Sequence, residues 1–252
     1  MEKRTICKNC NHQFDGNFCN LCGQAADTHK LSPHFILHDL QHGLFHFDNG
    51  IFYTVKQLLT RPGHTIKEFI NGKRVRHFKP LSLVIVLATL YGLLYHYFIG
   101  NLFDVEPTDA GKNVIGIYEK FIRWLTDHFA YAALIVILST TISSYLVFKK
   151  QGYNLVEHLV LNTYYMGLIL VIALILLPVL YLSQKSGPES SMSYTLISQL
   201  LYFGLMYWCY AQFFNKLTKV KSFGLTALTY LLMSMIAMTI GYVAGQIVGA
   251  LE

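Results

Sequence analysis

The stretch Arg61–Pro80, RPGHTIKEFINGKRVRHFKP, decides how this chain is read. Six of its residues are cationic: Arg61, Lys67, Lys73, Arg74, Arg76 and Lys79. It abuts Leu81–Ile99, the first long apolar run. Lys and Arg beside a membrane span are retained on the cytoplasmic side, so this basic collar orients everything after it.

Working outward, the chain after the collar is mostly apolar. Of 252 residues, 53% are hydrophobic and 13% charged, with a mean hydropathy of +0.38. That is about half the charged share of an ordinary soluble domain. Apolar runs reach the ~20 residues that a bilayer crossing needs. The expected fold is an all-α integral membrane protein, a five-span helical bundle with a small N-terminal β-hairpin zinc ribbon. Its parts are a cytoplasmic ribbon (1–28), amphipathic interfacial helices with the basic collar (31–79), and the bundle (80–252). Spans are placed near 80–99, 129–148, 158–182, 194–214 and 223–250. In this topology sixteen of the 20 Lys and Arg residues lie inside, and Lys112, Lys120, Arg123 and Lys185 lie outside. The N-terminus is then cytoplasmic and the C-terminus outside.

The net charge of +6 does not point to nucleic acid, because the surplus flanks the spans. Membrane lipids, with anionic headgroups at the collar, are the expected partners. No signal peptide and no internal repeat is read.

Cys7, Cys10, Cys19 and Cys22 have the spacing C-x2-C-x8-C-x2-C. Two such knuckles complete a tetrahedral thiolate site, here one structural zinc per chain. Asp15-Gly16 is the expected hairpin turn between the knuckles. Two disulfides would require an exported end, whereas the collar keeps these thiols in a reducing compartment. Four thiolates leave no open coordination position, so catalysis at the zinc is not expected.

Ser32-Pro33 opens an amphipathic stretch in which His34, His38, His42 and His46 recur every fourth residue. An interfacial helix with a His border is the preferred reading, and a metal or proton site the sharper one. A second amphipathic helix runs through Ile51, Val55 and Leu58. Arg61-Pro62-Gly63 is expected to close it in a type II turn, and Thr65 and Glu68 to form a capping box for a short helix ended by Gly72. Gly72-Lys73-Arg74 is not a phosphate loop, because Arg74 stands where Ser or Thr is required. Another amphipathic helix is expected in the outer loop 100–128, around Ile117, Phe121 and Trp124. Within the spans, Pro178 is expected to bend the third. Ala237, Gly241, Gly245 and Gly249 form a small-residue groove for helix packing, within the bundle in preference to a homo-oligomer. Glu157-His158, with Asn162 one turn on, marks a polar mouth, and Arg61, Lys73 and Arg74 complete a candidate polar or lipid site. Cys209 reads as a core residue.

Taken together, CKNC, FCNLCGQ, RPG at 61–63, GKR at 72–74, Pro80 and Glu157-His158 resemble a functionally uncharacterised bacterial family of short zinc ribbons joined to several membrane helices. The resemblance implies a bacterial inner membrane and no activity. The cytosolic head, amphipathic lead-in and five spans look more loosely like the Yip1 family, a likeness of fold alone. The leading functional expectation is a non-catalytic adaptor or scaffold whose ribbon contacts a cytosolic protein or another part of the bundle. A transporter or lipid-handling protein using Glu157 and His158, and a membrane-embedded enzyme using the His-rich lead-in, stay open.

The topology has a direct test. A reporter active only outside the membrane should be silent when fused after Lys150 or Lys221, and active after Gly187 or Glu252. Reversal at two of these four sites overturns the assignment.

Overall fold

Each long apolar run becomes helix between polar punctuation. The computed structural model describes residues 5–28, 50–99 and 129–251. Among them, strands β1 (Thr5–Ile6) and β2 (Gln13–Phe14) are followed by seven α-helices. Two are short, α1 (Gly50–Thr60) and α2 (Pro62–Ile70). Five are long: α3 (Pro80–Phe98), α4 (Phe129–Phe148), α5 (Leu155–Lys185), α6 (Pro188–Phe213) and α7 (Lys219–Leu251). The His ladder at 34–46 and the loop 100–128 lie outside the described residues.

Pro occupies the first turn of α2, α3 and α6, where its missing N–H has no helical partner to lose. A capping box starts α5: Asn154 Oδ1 accepts from the Glu157 N–H, and the Glu157 carboxylate accepts from the Asn154 N–H, both at 2.8 Å.

Among the described residues, four helices are long and apolar enough to cross a membrane: Pro80–Phe98, Tyr131–Gln151, Leu155–Lys185 and Lys219–Val243. The fifth long helix, α6, is not among them. It opens with Pro188-Glu189-Ser190-Ser191 and carries Ser198, Gln199 and Gln212, which dilute its apolar content.

On two helices the sorting is reversed relative to a water-soluble protein. On α4, Ser139, Thr140, Thr141, Ser143 and Ser144 are buried, while Leu134, Leu138, Ile142 and Leu146 form an exposed stripe. On α7, Ser222, Thr226 and Thr229 are buried while Leu228, Leu231 and Met235 are exposed. Most of these hydroxyls satisfy themselves on the carbonyl one turn back, as Thr140, Thr141, Ser143, Thr226 and Thr229 do. Small side chains let α4 and α7, which pack extensively, approach closely. Gly241 of the expected groove is also buried; the surroundings of Gly245 and Gly249 are outside the described residues. Pro178 is accommodated inside a continuous α5.

The lead-in is keyed into this bundle. Pro62, Gly63, Thr65, Ile66, Phe69 and Ile70 are buried, and α2 packs on α6 and α5. Two local expectations fail here. Arg61-Pro62-Gly63 is not a turn, because Pro62 and Gly63 already belong to α2. Thr65 and Glu68 form no capping box: Thr65 Oγ1 donates to the Arg61 carbonyl, and Glu68 pairs with Arg61 instead. The reason is tertiary. A Cβ on Gly63 would lie 2.3 Å from the Cys209 carbonyl oxygen and 2.5 Å from the Phe213 nitrogen, so only glycine lets α2 rest on the α6 backbone. The Gly63 N–H donates to Gln212 Oε1 at 3.1 Å.

Gly63→Ala should therefore act as overpacking against rigid backbone. The expected loss is about 3 kcal/mol, read as a lowered unfolding temperature in detergent. Wild-type stability would show that α2 does not contact α6.

Candidate functional site

The N-terminal head is built from two copies of one small device, twelve residues apart. In the first, Cys7 N–H donates to the His12 carbonyl and Asn11 N–H to the Cys7 carbonyl, both at 2.9 Å. In the second, Cys19 N–H donates to the Gln24 carbonyl and Gly23 N–H to the Cys19 carbonyl, both at 2.8 Å. Asn11 and Gly23 take the same left-handed conformation, at φ 59° and 73°. This local repeat, CKNCNH against CNLCGQ, was not expected from the sequence; only the cysteines match in type, and the rest match in backbone shape.

The pairing of strands is also different from expectation. The antiparallel partners Thr5–Phe14 and Ile6–Gln13 enclose the first knuckle, and the bridge Phe18–Ala25 encloses the second. Asp15-Gly16 links the two units instead of turning one hairpin.

The device brings Cys7, Cys10, Cys19 and Cys22 together, with all four sulfurs within 4.8 Å of one another. Cys7 and Cys22 sulfurs are 3.5 Å apart, and those of Cys10 and Cys19 3.6 Å. All four are free thiols. A tetrahedral ion with metal–sulfur bonds of ~2.3 Å needs sulfurs about 3.8 Å apart, so the set fits a metal ion. The thiols compete for ionisation. Hydrogen bonding from Asn9 holds Cys22 down at about 6. For Cys10, the His12 backbone favours the thiolate, but desolvation and the sulfurs of Cys22, Cys19 and Cys7 push it up to about 12. A bound cation removes that conflict, because it favours all four thiolates together.

Below the head, the collar cations are arranged around Glu68. Arg61 reaches its two carboxylate oxygens at 3.3 and 3.2 Å, and Lys73 approaches to 3.8 Å. Arg74 Nε donates to the Phe69 carbonyl, with its guanidinium 5.5 Å from the Phe69 ring. Lys67 reaches Asn215 Oδ1 at 2.9 Å. Burial and then Lys216 hold the Lys67 ammonium below its usual range.

Glu157 and His158 separate. Glu157 caps α5 at the helix surface, whereas His158 is fully buried. His158 Nδ1 lies 3.0 Å from Ser144 Oγ; Asn162 Nδ2 donates to that oxygen, and Tyr210 donates to Asn162 Oδ1 at 2.6 Å. Tyr145, Tyr153 and Phe214 surround the imidazole. Asn162 also donates to the His158 carbonyl, so most of this cluster's polar capacity is spent on itself, and it joins α4, α5 and α6. Sequence reasoning named Asn162 but missed Ser144 and Tyr210, because hydroxyls among apolar residues carry no local signal of partnership. Cys209 is buried in α6, as expected of a core residue.

Residues 48–92 match the family described as "Protein of unknown function (DUF3667)". No curated protein and no solved structure matches the chain. The matched stretch contains α1, α2, the collar and most of α3, including Gly63, Gly72 and Pro80. The four cysteines and Glu157-His158 lie outside it.

His77, inside that stretch, is buried between Tyr53 and Phe69, with Nδ1 lacking a hydrogen-bond partner. Desolvation, only partly opposed by Glu68, holds its imidazole down at about 4. The unfolded chain, with an ordinary His, binds more protons between about pH 6.5 and 4, so stability falls as pH falls through that window. Replacing His77 with Phe should flatten this acid loss in thermal scans between pH 7 and 4. An unchanged acid limb would show that His77 is not held neutral.

Proposed function

We propose that this protein is a non-catalytic scaffold of the bacterial cytoplasmic membrane, with a zinc ribbon held rigidly against the inner end of a five-span bundle. The observation that carries the reading is the seat of the head. Gln24 Oε1 accepts the backbone N–H groups of Arg74 and Val75 at 3.0 and 2.9 Å, and Lys8 Nζ donates to the Thr28 carbonyl at 2.7 Å beside Gly72. A head fixed in this way presents a defined surface. Ile6, Phe18 and Leu21 are left 60 to 68 % exposed on it, the exposure a cytosolic protein partner would cover.

Zinc follows from the ligand set: four thiolates at near-tetrahedral spacing in a reducing compartment favour zinc over harder ions. The fifth span is α6. At 26 residues it is about 39 Å long, enough to cross, and Leu196, Ile197 and Leu200 are exposed along it. An odd number of spans puts the N-terminus inside with the collar and the C-terminus outside.

The transporter or lipid-handling reading is weaker. It needs Glu157 and His158 at one mouth, and Glu157 is engaged in the cap while His158 is enclosed by aromatic rings. Residues Arg61 and Lys73 at the collar still suit anionic headgroups on the scaffold reading.

Elemental analysis of the purified chain should give one zinc per chain, lost in Cys19→Ser while the protein stays in the membrane fraction. Absence of zinc, or iron in its place, defeats the assignment. A photo-crosslinker at Leu21 should then capture one defined protein, and Phe18→Asp should abolish the adduct with zinc content unchanged. Crosslinks to lipid alone would refute the scaffold.

A further inference from the structure

The head is seated on a short turn, residues 72–79, which has no regular structure of its own and leads into α3. On one side the head holds it. Gln24 follows the last cysteine by two residues, and its carbonyl accepts the Cys19 N–H, so the second knuckle fixes its position. Its side chain, 4 % exposed, satisfies both the Arg74 and Val75 N–H groups. Gly72, at φ 101°, is cradled by Lys8 and Thr28; a Cβ there would lie 2.9 Å from Lys8 Cδ and 3.0 Å from Thr28 Oγ1. On the other side the bundle holds it. The Phe78 N–H donates to Thr54 Oγ1 and the Phe78 carbonyl accepts from the Tyr164 hydroxyl of α5, each at 2.7 Å and buried.

We propose that the four-cysteine head is a metal-dependent lock on this turn: occupancy of the cysteine site sets, through Gln24, whether residues 72–79 are held against α5 and the start of α3. The proposal rests on the metal reading of the head and adds to it a regulated element.

The physical warrant is that the head is the two-state element. Its buried apolar core consists of Cys7, Phe14 and Cys19, far too little to fold on hydrophobic burial alone. In such modules metal binding supplies the folding free energy. Without the ion, the knuckle that aims Gln24 loses its shape, and two backbone donors lose their acceptor. Linkage makes the effect reciprocal: a turn that favours the folded head also tightens the metal. What the lock would transmit is the position of the Lys73–Lys79 cations and of the first residues of α3, which begins directly after Lys79. Gln24 is thus a positioning residue, acting through the turn.

The test uses the full chain in lipid nanodiscs. Bound metal is quantified first, and amide exchange across 72–79 is then followed with and without a chelator. Chelation should speed exchange at Arg74 and Val75 at least tenfold. Gln24→Ala should reproduce that acceleration with metal still bound, and should weaken metal affinity about tenfold, the effect of two lost hydrogen bonds. Gln24→Glu, which keeps an acceptor for both N–H groups, should restore wild-type exchange. A metal-loaded chain whose exchange at 72–79 ignores chelation, or a Gln24→Ala chain with wild-type exchange and affinity, overturns the lock and leaves the metal site standing. A chain that purifies without metal and takes up none overturns both.

Discussion

The contact on which the arrangement depends is between two stretches of backbone. Gly63 lies against residues 209–213 of α6 with no room for a side chain. Through that approach a nine-residue helix that would otherwise rest on lipid becomes part of the protein. Its apolar residues Ile66, Phe69 and Ile70 are buried against helices, each contributing roughly 2 kcal/mol by removal from water. Its charged residues are left at the rim, where Arg61, Glu68 and Lys73 pair with one another. Such partly exposed pairs stabilise weakly, typically under about 1 kcal/mol each. They set orientation more than stability.

On α4 and α7 the usual sorting is inverted, and the physics of lipid explains it. Acyl chains are as apolar as Leu, so burying Leu between helices gains little, and close packing of small residues takes over. Ser139, Ser143, Ser222, Thr226 and Thr229 are the residues that permit it. The larger polar cluster of His158, Ser144, Asn162 and Tyr210 ties three helices together near the collar end. Tyr164 then ties α5 to the collar itself, through the Phe78 carbonyl. Bundle and lead-in are therefore one hydrogen-bonded unit.

The head obeys a different economy. It has almost no core, and its shape comes from two identical backbone knuckles and four sulfurs. Its seat on residues 72–75 runs through Gln24, Lys8 and Thr28. A polar glutamine with 4 % exposure is costly unless both its neighbours are donors in need, and here they are.

By itself the sequence determined the class, the places of the long helices, the four cysteines that gather into one cluster fit for a metal ion, and the identity of the basic collar. These rest on local signals: apolar run length, cysteine spacing, and Pro at helix starts. Only the tertiary structure decided that Pro62-Gly63 opens a helix instead of making a turn, since that follows from a partner 146 to 150 residues away along the chain. It also decided that Glu157 and His158, adjacent in sequence, have separate roles, because successive helical residues point about 100° apart. The knuckle repeat was hidden for a related reason. Asn11 and Gly23 are unlike in chemistry and alike only in φ, and backbone conformation is not written in residue type. The role of Gln24 could not be read at all, because its partners are backbone N–H groups fifty residues on, and a backbone donor looks the same at every position in a sequence.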